Sequence, residues 1–460
     1  MLQIHIETLG CKINHYESAC IYDNFFLKGF VKAETIDSAD IIIINTCTVT
    51  NRSDFKSRNL INKAKAVKQK NHSVKIIVTG CYSQRNKEEV MASGYVDLVV
   101  DNNQKEKIVE YKHLINNIPN PINEQQQTNY QSDAKNQIPK FQEIESFIEF
   151  SELNMNIMSE RSRAFLKIQD GCDFKCSYCA VPFARGKPRS RSLKSILDQV
   201  DKFLSYGYEE LVLSGVNLGL YSSEGYDLSD LLQKLSEYKN NKNEIKRIRL
   251  GSLEPQLFTE KLCQTLKDIE KICPHFHIPL QTGSDELLQL HNRGYTVEDF
   301  IKVVDSLQKI KPNSAVGLDV IVGLPNETEE LFEKTFNLLK NMEFTYLHVF
   351  IYSKRKGTLA ASMKGQIHGT IAKERSKWLL DLSMEKKNEF INKLIEEQVG
   401  LNAVQESYDL ESRLWRGTSD RYLKVYSQNA DDGQQDKHKL LKFLPKSRYL
   451  DGVLCEKYLY

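Results

Sequence analysis

The strongest constraint in this chain of 460 residues is a set of three cysteines, Cys172, Cys176 and Cys179, with the spacing C-x3-C-x2-C. Thiols this close together indicate metal ligation rather than a disulfide framework. A [4Fe–4S] cluster takes four thiolates, so three leave one iron for a ligand that is not protein. The alternatives are a zinc knuckle and three buried thiols. Zinc would need a fourth Cys or His nearby, and residues 180–192 contain neither.

Three further cysteines, Cys11, Cys47 and Cys81, each end a strand-like segment, and helix-like segments separate them. Continuously apolar segments such as residues 41–44 fit a parallel sheet that is covered on both faces. Ligand sites in such sheets lie at the carboxyl ends of the strands. We therefore expect these thiols to converge on a second iron–sulfur cluster; the alternative is that they are ordinary buried thiols.

The motifs TLGCKIN at 8–14, NTCTVTNRSD at 45–54 and VTGCYSQ at 78–84, taken with the central triplet, resemble the radical S-adenosyl-L-methionine (SAM) methylthiotransferases. The resemblance implies that the triplet holds a [4Fe–4S] cluster whose free iron binds SAM, which is cleaved to a 5'-deoxyadenosyl radical. It also implies that the strand-end cysteines hold an auxiliary [4Fe–4S] cluster that carries the sulfur to be inserted. TLGCKIN, NTCTVTNRSD and SYCAVPFARGKPRSRS at 177–192 together are similar to the branch that modifies N(6)-threonylcarbamoyladenosine at tRNA position 37.

The order of strand-like and helix-like segments predicts an α/β protein. We expect an N-terminal parallel-sheet α/β domain at 1–115, a polar linker with little core of its own at 116–158, and a central domain at 159–397. Six βα units in the central domain predict a partial (β/α)6 radical SAM barrel with its chemistry at the carboxyl ends of the strands. Residues 398–460 resemble a small β-barrel of the TRAM type, an RNA-binding module in this family, and residues 430–438 are expected to form a disordered loop.

Two stretches of the central domain, HIPLQTGSD at 277–285 and LDVIVGLPNE at 318–327, also match the family. Asn326 stands where the family usually has a glycine. We interpret His277 as an ordinary core or rim histidine without a catalytic role.

The resemblance assigns contacts with SAM to five residues: Tyr178, Gly215, Asn217, Glu254 and Ile321. Gly215 and Asn217 lie in a glycine-rich turn, which lets a ligand approach the backbone closely and would meet the methionine part of SAM. Glu254 would accept hydrogen bonds from the ribose hydroxyls, or it is only a surface acid at a strand end. Ile321 would pack on the adenine.

Four cations without an acid follow the triplet: Arg185, Lys187, Arg189 and Arg191. They suit contact with an RNA phosphate backbone, and solvated side chains are the alternative. A helix-like segment at 52–70 carries seven cations against one acid and allows the same two interpretations. The net charge of +2 means that any nucleic-acid contact is local.

We interpret the chain as an enzyme that adds a methylthio group to C-2 of N(6)-threonylcarbamoyladenosine in tRNA. The C-2 hydrogen is not acidic enough for acid–base chemistry, so we expect no catalytic residues beyond the cofactor ligands. Expected partners are the tRNA anticodon loop, an electron donor such as flavodoxin or ferredoxin, and a sulfur source. We expect a cytoplasmic monomer without a secretory signal or membrane span. The alternatives are the same chemistry on isopentenyladenosine tRNA or on a ribosomal-protein aspartate, and a non-catalytic iron–sulfur RNA-binding protein.

Overall fold

The computed structural model describes residues 1–115, 141–156, 161–240, 243–428 and 438–458. The chain forms two compact units. The first unit contains residues 1–157, 171–173 and 180–189, and the second contains 158–170, 174–179 and 190–460. The predicted disordered loop at 430–438 lies outside the described residues except for His438.

The first unit is built on a five-stranded parallel sheet with the strand order β2-β1-β3-β4-β5. Its strands are β1 (Gln3–Thr8), β2 (Val31–Lys32), β3 (Ile41–Thr46), β4 (Lys75–Gly80) and β5 (Leu98–Val99). Its helices are α1 (Lys12–Phe26), α2 (Asn51–Lys70), α3 (Cys81–Arg85), α4 (Lys87–Ala92) and α5 (Pro182–Arg185). All four isoleucines of β3 are fully buried, as the apolar run predicts for a central parallel strand.

Residues 141–156, which the sequence places in the linker, pack within the first unit. They include a short 3-10 helix at Ile144–Ser146 and the buried side chains of Phe147, Leu153 and Met155. The hydroxyl of Tyr16 on α1 donates a 2.7 Å hydrogen bond to the carbonyl oxygen of Leu153. This segment therefore contributes to a core, unlike the connector that its polar composition predicts.

The second unit begins with the predicted partial barrel. The six barrel strands are β6 (Ala164–Lys167), β9 (Glu210–Ser214), β12 (Arg247–Arg249), β13 (His275–Gln281), β14 (Ala315–Val322) and β15 (Tyr346–Ile351). Four two-residue strands between β6 and β12 lie outside the sheets of the barrel: β7 (Gln169–Asp170), β8 (Arg189–Ser190, whose Arg189 belongs to the first unit), β10 (Ser222–Ser223) and β11 (Tyr226–Asp227). Parallel sheets of order β12-β9-β6 and β13-β14-β15 are joined by an isolated parallel bridge between Ile248 and Ile272. The six-stranded partial barrel is confirmed.

Helices alternate with these strands, as the βα pattern predicts. They are α6 (Leu193–Ser205), α7 (Leu228–Glu237), α8 (Glu260–Asp268), α9 (Asp285–Leu290), α10 (Val297–Ile310), α11 (Glu329–Asn341), α12 (Leu359–Ser362) and α13 (Gly369–Glu396). Several begin at a side-chain cap; for example, Ser192 and Thr328 each accept a hydrogen bond from a backbone N–H of the first turn. Among the described residues, none of the helices combines the length and the apolar composition that a membrane span requires.

A closed five-stranded barrel follows α13 and confirms the small C-terminal β-barrel. Its strands are β16 (Leu401–Asp409), β17 (Leu414–Ser419), β18 (Lys424–Ser427), β19 (Leu440–Tyr449) and β20 (Gly452–Lys457). The sequence did not predict β19. This strand contains Pro445, and its pairing with β20 shifts register between Pro445 and Ser447, which interrupts the alternation expected of a strand.

A buried charge cluster fastens the small barrel to the partial barrel inside the second unit. Arg249 is fully buried, and its Nε donates a 2.8 Å hydrogen bond to Glu210. Its two terminal nitrogens donate to the backbone carbonyl oxygens of Ser419 and Asp420. Arg247 also donates to Glu210. Burial alone would raise the pKa of Glu210, but the two guanidinium groups outweigh it and lower this pKa to about 2.

Candidate cofactor sites

The cysteines Cys11, Cys47 and Cys81 lie at the carboxyl ends of β1, β3 and β4, which are neighbours in the sheet. Cys11 caps α1 and Cys81 is the first residue of α3. None of the three is in a disulfide. Burial raises the pKa of the Cys47 thiol, and the nearby thiols of Cys81 and Cys11 raise it further. The structure thus brings the three predicted residues together, because adjacent parallel strands end at one edge.

The backbone around these thiols is held in one conformation by its neighbours. Gly10 has a φ of 104°, and a Cβ at this position would lie 2.9 Å from Sγ of Cys47. The amide nitrogen of Asn14 donates hydrogen bonds to the carbonyl oxygens of Leu9 and Thr46, which joins the ends of β1 and β3. Three free thiols fixed at one sheet edge fit a [4Fe–4S] cluster that leaves its fourth iron open to another ligand.

A buried charge cluster lies beside Cys11 in the same unit. Glu17 on α1 accepts hydrogen bonds from Lys105 and from Nη1 of Arg185, the latter over 3.1 Å. Nη2 of Arg185 donates a 2.6 Å hydrogen bond to Asn14. Cys11 keeps an exposed surface, but protein atoms surround its thiol; this desolvation raises its pKa, and the Arg185 guanidinium opposes the rise. Two cations against one carboxylate give this edge a positive local charge, which suits an anionic thiolate cluster.

Of the central triplet, Cys172 belongs to the first unit, and Cys176 and Cys179 belong to the second. In the first unit, the backbone N–H of Cys172 donates a 3.0 Å hydrogen bond to the carbonyl oxygen of Gly186. In the second unit, the N–H of Cys179 donates to the carbonyl oxygen of Cys176, which closes a turn. None of the three is in a disulfide, and all three are partly buried.

The segment that follows α9 contacts the part of the triplet at Cys176 and Cys179. The sequence analysis did not identify this segment. The N–H of Ser177 donates to the carbonyl oxygen of His291, and Oγ of Ser177 lies 2.6 Å from Nδ1 of His291. Nη1 of Arg293 donates a 3.1 Å hydrogen bond to Sγ of Cys176. Burial raises the pKa of Cys176, and Arg293 opposes this by stabilising the thiolate. The sequence signal is only a His-Asn-Arg run at the end of a helix, and no spacing rule connects it with the cysteines.

Two of the residues assigned to SAM present buried polar atoms without a partner among the described residues. Both side-chain polar atoms of Asn217 and the hydroxyl of Tyr178 are in this state, and Ser214 Oγ joins them. The backbone N–H of Asn217 is bonded to Gln169, so the turn itself is fixed. Buried polar groups without partners are costly, and here they fit a polar ligand such as the amino acid part of SAM.

The other residues assigned to SAM lie at strand ends of the second unit. Gly215 follows β9, and a Cβ there would lie 2.9 Å from Leu218, so a larger residue would not fit. Ile321 is partly buried on β14. Glu254 is not a free surface acid, because its Oε2 accepts a hydrogen bond from Arg293. Burial raises the pKa of Glu254, and Arg293 opposes the rise.

Three of the four cations after the triplet that are predicted to contact RNA are buried in the structure. Arg185 is buried against Glu17, as described above. Arg189 is buried and donates to the carbonyl oxygens of Arg185 and Lys187. Arg191 is fully buried and its Nε donates to Ser195. These guanidinium groups face acceptors inside the protein, and only Lys187 is exposed.

Helix α2 keeps a basic exposed face. It begins at Asn51, four residues after Cys47, with Thr50 as its side-chain cap. Five of its cations are exposed: Arg52, Lys56, Arg58, Lys63 and Lys70. The exposed Phe55 lies on the same helix. Both interpretations of this helix, RNA contact and solvated face, therefore stay open.

Two family models match the chain. The model described as the radical SAM superfamily matches residues 166–339, and the model described as uncharacterized protein family UPF0004 matches residues 3–101. The first covers the central triplet and most of the partial barrel, and it ends before β15. The second covers the parallel sheet and the three strand-end cysteines.

Solved structures show the same fold at low sequence identity. The radical SAM methyltransferase TsrM from Kitasatospora setae, bound to tryptophan and a SAM analogue, has a TM-score of 0.56 and 14% identity, covering 78% of this chain and 75% of its own. At this identity the likeness concerns the fold alone.

Curated relatives match along most of their length. The threonylcarbamoyladenosine tRNA methylthiotransferase MtaB of Bacillus subtilis is 37% identical over 96% of this chain and 94% of its own. The protein of the same name from Aquifex aeolicus is 35% identical over 85% and 90%. The tRNA-2-methylthio-N(6)-dimethylallyladenosine synthase of Clostridium botulinum (strain Loch Maree) is 33% identical over 86% and 85%. The chain therefore belongs to the radical SAM tRNA methylthiotransferases, enzymes that work with SAM and two [4Fe–4S] clusters.

Proposed function

We propose that this enzyme adds a methylthio group to C-2 of N(6)-threonylcarbamoyladenosine at position 37 of tRNA. The observation that carries the substrate assignment is the full-length match to the Bacillus subtilis relative of that name, with 37% identity. The branch-like sequence after Cys179 supports the same substrate. A second candidate is N(6)-dimethylallyladenosine, because a relative named for that product is 33% identical.

We assign the cluster ligands to the two sets of three cysteines. Cys11, Cys47 and Cys81 would hold the auxiliary cluster, and Cys172, Cys176 and Cys179 would hold the cluster that binds SAM. When bound, these groups supply a carbon radical and the sulfur that is transferred. Each thiol must lose its proton to bind iron. Arg185 beside Cys11 and Arg293 at Cys176 favour the thiolate form at one cysteine of each set.

The remaining residues assigned to SAM would orient it rather than react with it. The orphaned polar atoms of Asn217 and Tyr178 would bind its polar groups, and Gly215 lets the ligand approach the backbone closely. Oε1 of Glu254 would accept from the ribose while Arg293 holds Oε2. Ile321 would pack on the adenine. The main catalytic contribution available to these side chains is to hold the reactants close together and correctly oriented.

The partners follow from the chemistry and from the basic helix. We propose that the exposed cations of α2 contact tRNA phosphates near the auxiliary site. Turnover in the cytoplasm would require an electron donor such as flavodoxin or ferredoxin and a source of sulfur. The matches at 3–101 and 166–339 support the proposed domains at 1–115 and 159–397, and the closed barrel supports the one at 398–460; of the predicted linker at 116–158, residues 141–156 pack within the first unit.

The test is mass spectrometry of tRNA nucleosides from cells that lack the protein, complemented with variants. We expect 2-methylthio-N(6)-threonylcarbamoyladenosine alone to disappear in the deletion and to return with the wild-type chain. Cys47→Ala and Cys176→Ala should fail to restore it. Cys263→Ala is the matched control, because this free, partly buried thiol on α8 is in neither set. Loss of the dimethylallyl product instead would establish the second substrate, and restoration by Cys47→Ala would contradict the auxiliary-site assignment.

A further inference from the structure

Three side chains with metal-binding atoms converge on neighbouring strands of the second unit. They are His277 on β13, Asp319 on β14 and His348 on β15. Oδ1 of Asp319 lies 2.8 Å from Nε2 of His277 and 3.3 Å from Nδ1 of His348. All three ligand atoms lie within 4.8 Å of one another. None of these residues belongs to either cysteine set.

We propose that His277, Asp319 and His348 bind a divalent transition-metal ion, zinc in preference to iron. Two imidazoles and one carboxylate are a common donor set for zinc sites that keep a fourth position open. Donors about 2.0 to 2.1 Å from a tetrahedral ion lie roughly 3.3 Å apart. One of the two observed separations has this value, and the other is shorter by 0.5 Å. Small side-chain movements would therefore bring both nitrogen–oxygen separations to the value that a tetrahedral ion requires.

The neighbours of His277 can accept the ring proton that metal binding at Nε2 would leave on Nδ1. Its other nitrogen, Nδ1, lies 3.4 Å from the hydroxyl oxygen of Tyr346, and that hydroxyl lies 2.8 Å from Nε2 of His275. A proton on Nδ1 of His277 can be donated to Tyr346, whose own proton can be donated to His275. Without an ion, the 2.8 Å contact indicates that Nε2 of His277 donates its proton to Asp319, and this chain of donors would hold the ring proton on Nδ1 once an ion takes the Nε2 position. A hydrogen-bonded outer nitrogen of this kind is typical of histidines that bind metals.

The site also has a route of entry. The exposed fraction of the side chain increases from 10% at His277 to 20% at Asp319 and 50% at His348. An ion can thus approach from the His348 side, and water can complete its coordination there. Zinc is preferred because nitrogen and oxygen sites generally bind Zn²⁺ more tightly than Fe²⁺.

The experiment uses the full chain with both clusters loaded. After anaerobic dialysis against buffered Zn²⁺, zinc and iron per chain are measured by mass spectrometry. We expect about one zinc in the wild type and much less than that in Asp319→Asn and His348→Gln, with iron unchanged. His72→Gln, which removes an exposed histidine of the first unit, should keep the zinc. Tyr346→Phe should weaken zinc binding by about tenfold or more.

Equal zinc in the wild type and in both site variants would overturn the proposal and leave a hydrogen-bonded carboxylate between two imidazoles. Zinc that rises only as iron falls would place the ion at the cysteines and would also overturn it. A ninth iron that Asp319→Asn removes would refute the assignment to zinc. If Asp319→Asn loses cluster iron because it folds poorly, the half-exposed His348→Gln decides.

Discussion

Glu17 offers the sharpest test of how the first unit is held together. Its side chain is fully buried between Lys105 and Arg185, whose side chains are 0% and 3% exposed. Glu17→Gln keeps the shape but leaves two buried cations without a counter-charge. Breaking a buried ion pair in this way costs about 3–5 kcal/mol. The cost has an upper limit, because Lys105 can lose its proton and remove one of the two charges. Burial already lowers the pKa of Lys105, and deprotonating a lysine with an ordinary pKa near 10.4 at pH 7 costs about 5 kcal/mol at most.

Hydrogen–deuterium exchange measures this cost locally and does not require two-state unfolding of the whole chain. The amides of α1 and β3 should lose more than about a hundredfold in protection, since each 1.4 kcal/mol corresponds to a factor of ten. Glu298→Gln is the control, because Glu298 and Lys302 form an exposed i,i+4 pair whose loss should cost less than about 1 kcal/mol. Adding Lys105→Met to Glu17→Gln should recover part of the protection. If Glu17→Gln changes protection by less than about tenfold, the ion pairs of Glu17 with Lys105 and Arg185 do not stabilise the first unit as argued.

Two further predictions concern the second unit. Asn326 has a φ of 66°, in the left-handed region, so Asn326→Ala should destabilise the unit by about 1–2 kcal/mol and Asn326→Gly should not, as urea denaturation would show; equal losses would exclude the backbone explanation. Glu210 has its pKa lowered to about 2, so its ionised form stabilises the fold above its unfolded pKa of about 4.3, and this contribution is lost as pH falls towards 2. The difference in unfolding free energy between wild type and Glu210→Gln, followed by the fluorescence of Trp378 and Trp415, should shrink by about 3 kcal/mol over that range; a difference independent of pH would contradict the ion-pair account.

Local patterns predicted the elements that depend on local chemistry. The apolar run of β3 and the cysteines at three strand ends predicted a parallel sheet with thiols at one edge, because parallel strands share an edge. These features involve residues that are close in sequence or repeat in phase. Asn326 stands where the family usually has a glycine, and its φ of 66° shows a left-handed turn that the sequence analysis did not predict.

Contacts between distant residues were the ones missed. Arg185 looked like a surface cation because its acceptor, Glu17, lies 168 residues away. His291 and Ser177 are 114 residues apart, and no motif connects them. In both cases the side chain is charged or polar but buried, and only the fold brings its partner near. A charged or polar residue type therefore indicated solvent exposure, whereas in the fold the side chain is buried and hydrogen-bonded to another part of the protein.

The arginines that fasten the small barrel contact it almost entirely through main-chain atoms. Arg249 donates to the carbonyl oxygens of Ser419 and Asp420, and Arg247 donates to that of Asn402. A carbonyl oxygen is present whatever the side chain, so substitutions along β16 and β17 leave these acceptors in place. The barrel can accordingly diverge in sequence, or be exchanged for that of a relative, without redesign of the attachment. The attachment made by Glu210, Arg247 and Arg249 thus depends on the backbone of the small barrel and hardly on its side chains.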